Sequence, residues 1–374
     1  MPPSAGAAVR GFPEEPECRL RYREVRLMPR LPIGDLPLRS KEVLRGAQLY
    51  FETWGAPARE AVLVCQTLTS DARPHATRPT EPPGWWEGVL GPGHVLDPAS
   101  SFVICANVIG GCHGSTGPDE RGRAPDGRPF PALALEDMVS AQLPLLAALG
   151  VERLRLVVGG SLGGMQALAW ASQSQVPVDH VVAIAAADRL PALQLALCHA
   201  QHVALELGLR HGDLEGALQA ARTIALSTYL CDRHLERRFG REPAQLPGRR
   251  FALETYLDHH GRRFAQRFSP QTYLALSQAM TSFDWGLKVQ AGTRVDLIAI
   301  SSDWLFPPEA VQDLHLRLRR LGVPGDYLVH RSDLGHDAFL VEQEATAGLI
   351  GKVLSSACPP VPTGRSPRAA ADRA

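Results

Sequence analysis

The sequence has no surplus charge. Its 39 Lys and Arg are matched by 39 Asp and Glu, so it shows no basic footprint for nucleic acid and none for an anionic membrane. It has no CxxC pair. Its seven cysteines, at 18, 65, 105, 112, 198, 231 and 358, are scattered and odd in number, a pattern that predicts reduced thiols, a cytoplasmic location and no zinc site. No apolar run approaches the roughly 20 residues a membrane span needs. The N-terminal stretch lacks the charged and apolar regions of a secretory leader, and its Glu14, Glu15 and Glu17 argue against a transit peptide.

The chain does have length and apolar content. With 374 residues, 45% of them hydrophobic, it can bury one large or two ordinary cores. Residues 1–35 are rich in Pro, Arg and Glu and carry no period, so they are expected to form a loose N-terminal arm. Residues 354–374, rich in Pro, Ala and Arg, read as a disordered tail. Between them, strand and helix signals alternate. AQLYFETW (47–54) alternates like a half-buried strand. AVLVCQTL (61–68), FVICANVI (102–109), LRLVV (154–158), HVVAIAA (180–186) and VDLIAIS (295–301) are short apolar runs, as expected of strands covered on both faces. Helical spacing at 133–149 stops at Gly150 and recurs at 309–322, ahead of a last strand at 326–331. This rhythm predicts an α/β fold with a doubly wound, mostly parallel sheet. From about 189 to 290 the signals are helical only, which predicts a helical lid inserted between core segments 36–188 and 291–353.

Four glycines surround one serine in GGSLGG (159–164), between the strand LRLVV and the helical MQALAWA. A G-x-S-x-G match alone is weak, and a Gly-rich turn can simply pack tightly or hold a phosphate. The strand–turn–helix setting is the one a nucleophilic serine needs. It places Ser161 on a sharp turn with a helix N-terminus behind it, where an oxyanion would form. A serine nucleophile requires a base held by an acid. Asp303 follows VDLIAIS at the carboxyl end of a strand, and His336 follows 33 residues later in LGHDAFL. Their order, Ser161–Asp303–His336, is that of the α/β-hydrolase fold. The N–H groups of Leu162, after the serine, and of Leu68, in the loop after AVLVC, are the expected oxyanion donors. Cys112 is not expected to be a nucleophile, and Met165 and Gln166 are expected to pack.

VVGGSLGGMQALAW, with NVIGGCHGSTGP (107–118), SSDWLFPPE (301–309) and GHDAFL (335–340), resembles the homoserine O-acetyltransferase family. GWWEGVLGPG (84–93) and FALETYLDHHGRRFAQRF (251–268) resemble it too, so the likeness spans roughly residues 36–353. It implies an α/β-hydrolase-fold acyltransferase of methionine biosynthesis. Ser161 would take an acetyl group from acetyl-CoA, a co-substrate rather than a bound cofactor, and pass it to homoserine. It also implies that Arg222, Tyr229, Asp337 and Thr69 hold the amino acid, and that the protein is a homodimer. GGCHGSTGP is expected to be a tight scaffold loop. The family's loop after the corresponding strand reads His or Asn, then Ala-Leu-Thr-Gly. Here it reads Gln66-Thr67-Leu68-Thr69-Ser70, different at three of five positions, in a loop that lines the acyl pocket. Asp188–Arg189 is a second departure. Transfer to serine, a succinyl-CoA donor, an esterase-type hydrolase and a catalytically dead binding protein are the competing readings.

Overall fold

The computed structural model describes residues 30–78, 80–245 and 247–357. Its centre is a seven-stranded sheet in the order β3-β5-β4-β6-β7-β8-β9. The strands are β3 (Phe51–Trp54), β4 (Glu60–Cys65), β5 (Phe102–Ala106), β6 (Arg153–Gly160), β7 (His180–Ile184), β8 (Arg294–Ile300) and β9 (Tyr327–His330). All neighbours run parallel except β3, which pairs antiparallel with β5. The apolar runs form strands because both faces are covered, as a parallel sheet requires. β6 sends Leu154 and Val157 to the face packed by α1 (Leu135–Ala148), α2 (Leu162–Trp170) and α8 (Pro308–Arg320). Its Leu156 and Val158 join Trp86, Phe339, Ile350 and Val353 on the other face, under α10 (Gln343–Ala357).

Helices α3 (Ala192–His211), α4 (Leu214–Tyr229), α5 (Asp232–Arg238), α6 (Ala252–Arg267) and α7 (Pro270–Ser282) lie between β7 and β8 in the chain. α4 packs against α3, α6 and α7. The unexpected Asp188 ties this block to the core: its carboxylate takes both Nη groups of Arg317 on α8 at 2.8 Å, and its carbonyl accepts from the Trp285 N–H.

Three boundaries differ from expectation. The stretch read as one strand over 47–54 breaks at Tyr50. β2 (Val43–Leu49) pairs with β1 (Leu31–Pro37) in a separate two-stranded sheet, and β3 starts the main one. At the break, the Tyr50 N–H leaves the ladder for Ser115 Oγ. Residues 31–35, assigned to the loose arm, are strand. Pro32, Pro37 and a left-handed Gly34 (φ +78°) hid it, and its register slips around Gly34. Residues 354–357, assigned to the tail, finish α10, where Val353 is buried against the sheet. Residues 1–29 of the arm and 358–374 of the tail lie outside the described residues.

Candidate active site

Ser161 sits between β6 and α2 at φ +57°, ψ −124°, a conformation that favours glycine, with its N–H held by the Ile184 carbonyl at 2.9 Å. Neighbouring glycines make the turn possible. A Cβ on Gly160 would lie 2.3 Å from the Phe339 ring, and one on Gly163 would lie 2.3 Å from the Cys65 carbonyl oxygen. The second contact brings the first turn of α2 against the end of β4, and so against the loop that carries Leu68.

His336 Nε2 lies 2.8 Å from Ser161 Oγ, and His336 Nδ1 lies 2.7 Å from Asp303 Oδ2. Asp303 Oδ1 accepts the N–H groups of Leu305 and Phe306, at 2.9 and 3.0 Å, which fixes the carboxylate. All three residues are buried. Burial by itself depresses the His336 imidazole. The charge and hydrogen bond of Asp303, with the nearby charge of Asp337, outweigh it and hold the group above its ordinary value. The geometry brings the three predicted residues into one hydrogen-bonded chain. Such a chain can strip a proton from the serine and keep the resulting imidazolium stable.

Leu162 is the first residue of α2, so its N–H has no intrahelical acceptor. Leu68 lies in the loop after β4, and that loop is pinned from several sides. Thr67 donates its N–H to Ser70 Oγ at 2.8 Å, and Gln66 Nε2 donates to the Ser70 carbonyl at 3.1 Å. Gln66 Oε1 accepts the Val108 N–H, and Gln166 Nε2 on α2 donates to the Gln66 carbonyl at 3.0 Å. Two of the three departures from the family loop, Gln66 and Ser70, are thus its internal braces. Gln166, expected only to pack, joins the loop to the helix behind Ser161. No motif announced this role; its one signal was an amide in an otherwise apolar helix.

A cavity of about 720 Å³, mouth included, opens beside the imidazole. Arg222, Tyr229, Asp337 and Thr69 all line it, with Thr67, Trp85, Tyr256, His260 and Arg267. Arg222 and Tyr229, two turns apart on α4, face the same way. The Arg222 guanidinium is buried, 4.7 Å from the Phe264 ring centroid and 5.2 Å from that of Tyr229. The Tyr229 ring lies 5.6 Å from that of His336, and desolvation raises its hydroxyl to about 12, so it is a neutral hydrogen-bonding group at any working pH. Asp337 follows His336 on the 3-10 turn Gly335–Asp337. A buried cation and a carboxylate facing one cavity suit the two ends of a zwitterion. Trp85, in the loop between β4 and β5, and Tyr256, His260 and Arg267, on α6, were not foreseen as lining residues, because single aromatic and basic residues in a loop or on a lid helix carry no spacing signature.

Around the site, GGCHGSTGP is a brace. Gly110 donates to the Thr116 carbonyl, Thr116 to the Gln48 carbonyl, and Ser115 Oγ to the Asn107 carbonyl. Cys112 is buried within it, 3.7 Å from its neighbour His113. Cys65, Cys105, Cys112, Cys198 and Cys231 are all free thiols, and among the described residues no helix is long and apolar enough to cross a membrane.

A family model for the α/β-hydrolase fold matches residues 79–343. A homoserine O-acetyltransferase from Caulobacter vibrioides is 38% identical over 366 residues, covering 88% of this chain and 94% of its own. The solved homoserine O-acetyltransferase of Staphylococcus aureus superposes with a TM-score of 0.73 at 25% identity, over 87% of this chain and 94% of that one. Esterase E22 superposes with a TM-score of 0.79 at 18% identity, over 87% and 99%; at that identity it shows the fold alone. The likeness read from separate motifs therefore runs through almost the whole described chain, and the protein belongs to the homoserine O-acetyltransferase family, acyltransferases on the α/β-hydrolase fold.

Proposed function

We propose that this chain moves an acetyl group from acetyl-CoA to the hydroxyl of homoserine through an acyl-serine at Ser161. His336 takes the Ser161 proton as Oγ attacks the thioester carbonyl. The C–S bond breaks, and the departing thiolate takes that proton from the imidazolium. Homoserine then gives its hydroxyl proton to His336 and attacks the acyl-serine. The new ester forms, the bond to Oγ breaks, and Ser161 recovers its proton. Asp303 keeps the imidazole in the required tautomer and stabilises its cation. The N–H groups of Leu68 and Leu162 receive the oxyanion in both halves. Arg222 binds the substrate carboxylate, Asp337 its ammonium, and Tyr229 and Thr69 complete the contact.

The observation that carries the transferase reading is that the buried Arg222 and Asp337 both line the cavity beside His336. A plain esterase has no use for a zwitterion's two counter-charges. The helices over the cavity also serve transfer, because an acyl-serine must be kept from water. On α3 the side chains of Leu193, Leu195, Val203, Leu207 and Leu209 are exposed. That apolar surface is the face through which two copies would form the homodimer. Free thiols fit a cytoplasmic location.

The test separates the two half-reactions in Arg222→Leu. Acyl-enzyme formation from acetyl-CoA, read by the mass of the quenched chain, is expected to persist within about threefold, since that step involves no amino acid. Transfer to homoserine is expected to fall by at least tenfold to a hundredfold, the equivalent of a charge-assisted contact of about 1.5–3 kcal/mol. Equal loss in both halves would make Arg222 structural or a coenzyme A contact. No loss in either would show that Arg222 does not hold the amino acid.

A further inference from the structure

The hydroxyl of Thr67 is a polar group in this cavity to which the proposed reaction gives no task. Thr67 is 4% exposed and lines the cavity one residue before Leu68. Its Oγ1 is shut off from solvent and has no hydrogen-bond partner among the described residues. A buried hydroxyl in that state is costly, and the loop offers it nothing. The Gln66 carbonyl is taken by Gln166 Nε2 at 3.0 Å, the Ser70 carbonyl by Gln66 Nε2 at 3.1 Å, and the Thr69 carbonyl by Arg267 Nη1 at 3.4 Å. Nor can the loop turn to find another acceptor, because Ser70 Oγ holds the Thr67 N–H at 2.8 Å. The hydroxyl is therefore dry and unpartnered, on a residue that lines the cavity and whose backbone is pinned.

We infer that Thr67 Oγ1 donates a hydrogen bond to the acyl carbonyl oxygen, beside the N–H of Leu68, and is a further oxyanion-binding group of this site. The inference rests on the acyl-serine chemistry proposed above, though not on the identity of donor or acceptor. A carbonyl oxygen is the acceptor common to a thioester, an acyl-serine and a simple ester. It gains negative charge as the tetrahedral intermediate forms, so a hydroxyl held ready for it acts most strongly in the transition state. The cost of the unpartnered hydroxyl in the free protein is the usual mark of such preorganisation.

The experiment compares Thr67→Val, which keeps the shape and removes the hydroxyl, with Thr67→Ser, which keeps the hydroxyl. Acylation by p-nitrophenyl acetate and by acetyl-CoA, and transfer from acyl-enzyme to homoserine, are measured separately beside thermal unfolding. Thr67→Val is expected to slow acylation by both donors and the transfer step by a similar factor, about tenfold to a hundredfold, while its unfolding midpoint stays equal or rises. Thr67→Ser is expected to remain within about threefold of the parent. A lower midpoint in Thr67→Val, rates unchanged in it, or equal loss in both variants would overturn the inference. Failure of the homoserine reading is a different result: the unsubstituted protein would then acylate from p-nitrophenyl acetate and transfer nothing to homoserine, while the Thr67 comparison in acylation would still stand or fall by itself.

Discussion

Two buried histidine–aspartate pairs lie at opposite ends of the same parallel strands. At the carboxyl end, Asp303 follows β8 and holds His336. At the amino end, His180 opens β7 and its Nε2 meets Asp296 near the start of β8. The pairs look alike in composition and burial, and they differ in everything around them. The Asp303 carboxylate accepts two backbone N–H groups besides the imidazole, and the second imidazole nitrogen faces Ser161 Oγ. The Asp296 carboxylate also takes the Arg294 guanidinium, which reaches on to Asp326 at 2.7 Å. Burial alone would push the Asp296 carboxyl up, but its hydrogen bonds from His180, Arg294 and the Asp326 N–H hold it below the ordinary range. One pair is poised to accept a proton from a hydroxyl. The other is locked by a cation and clamps strands together. A histidine–carboxylate pair is thus not a site in itself; the group on the free nitrogen and the end of the sheet decide.

The largest expected effect breaks the upper pair. Asp303→Asn disturbs the tautomer and charge of His336, so turnover is expected to fall about 10⁴-fold. The loss of stability is expected to be smaller, about 1–2 kcal/mol, since the amide oxygen can keep the Leu305 and Phe306 N–H groups. Steady-state coenzyme A release and chemical denaturation of the same variant check both parts. Turnover within tenfold of the parent would mean another carboxylate serves His336.

Breaking the lower pair should do the reverse. Asp296→Asn leaves Arg294 and His180 facing a neutral group in a buried setting, at an expected cost of about 3–5 kcal/mol in unfolding free energy. The folded variant is expected to turn over within about twofold of the parent. The pH dependence has a definite sign. Because the folded Asp296 carboxyl is depressed, its contribution is complete above the unfolded carboxylate value of 3.8 and is lost as pH falls through the lower folded value. Stability of the parent should therefore drop more steeply than that of Asp296→Asn below about pH 4. Parallel curves would show that the clamp carries no stabilising charge.

The contrast also shows what a sequence makes legible. Strand cores were readable because a parallel sheet demands unbroken apolar runs, and GGSLGG because a serine at positive φ needs small neighbours. Asp303 and His336 were readable from chain order and from lying just past strands. β1 was not, because Pro32, Gly34 and Pro37 interrupt its pattern while its pairing with β2 supplies the order. The break at Tyr50 was invisible because alternation continues through it, and the partner that causes it, Ser115, is 65 residues away. The Gln66–Gln166 brace joins residues 100 apart, and no periodicity encodes a contact of that kind. Asp296 and His180 belong to the same class: each is a polar residue near the start of an otherwise apolar run, and only the register of β7 against β8 pairs them.

The smallest expected effect sharpens the comparison at the upper pair. The groups facing His336 are Asp303, Ser161, Asp337 and the rings of Tyr229, Phe306 and Phe339. Only two of these carry charge, and both stabilise the imidazolium. His336 must be neutral to accept the Ser161 proton, so a raised imidazole keeps the enzyme inactive to higher pH than the ordinary value of 6.5 would. The acid limb of acylation by p-nitrophenyl acetate, a donor with no amino group to engage Asp337, is therefore expected to have its midpoint above 6.5 in the parent. Asp337→Asn removes the more distant charge and leaves the hydrogen bond to Asp303 in place. Its midpoint should move down while the plateau rate at high pH stays within about threefold, so that the variant retains a larger share of its own maximum under acidic conditions. In the same variant, transfer to homoserine should weaken at every pH through loss of the ammonium contact, about 1.5–3 kcal/mol. A midpoint that does not move would place Asp337 electrostatically out of reach of the imidazole, as Asp296 is at the other end of the sheet, and would leave it an amino-acid-binding group alone.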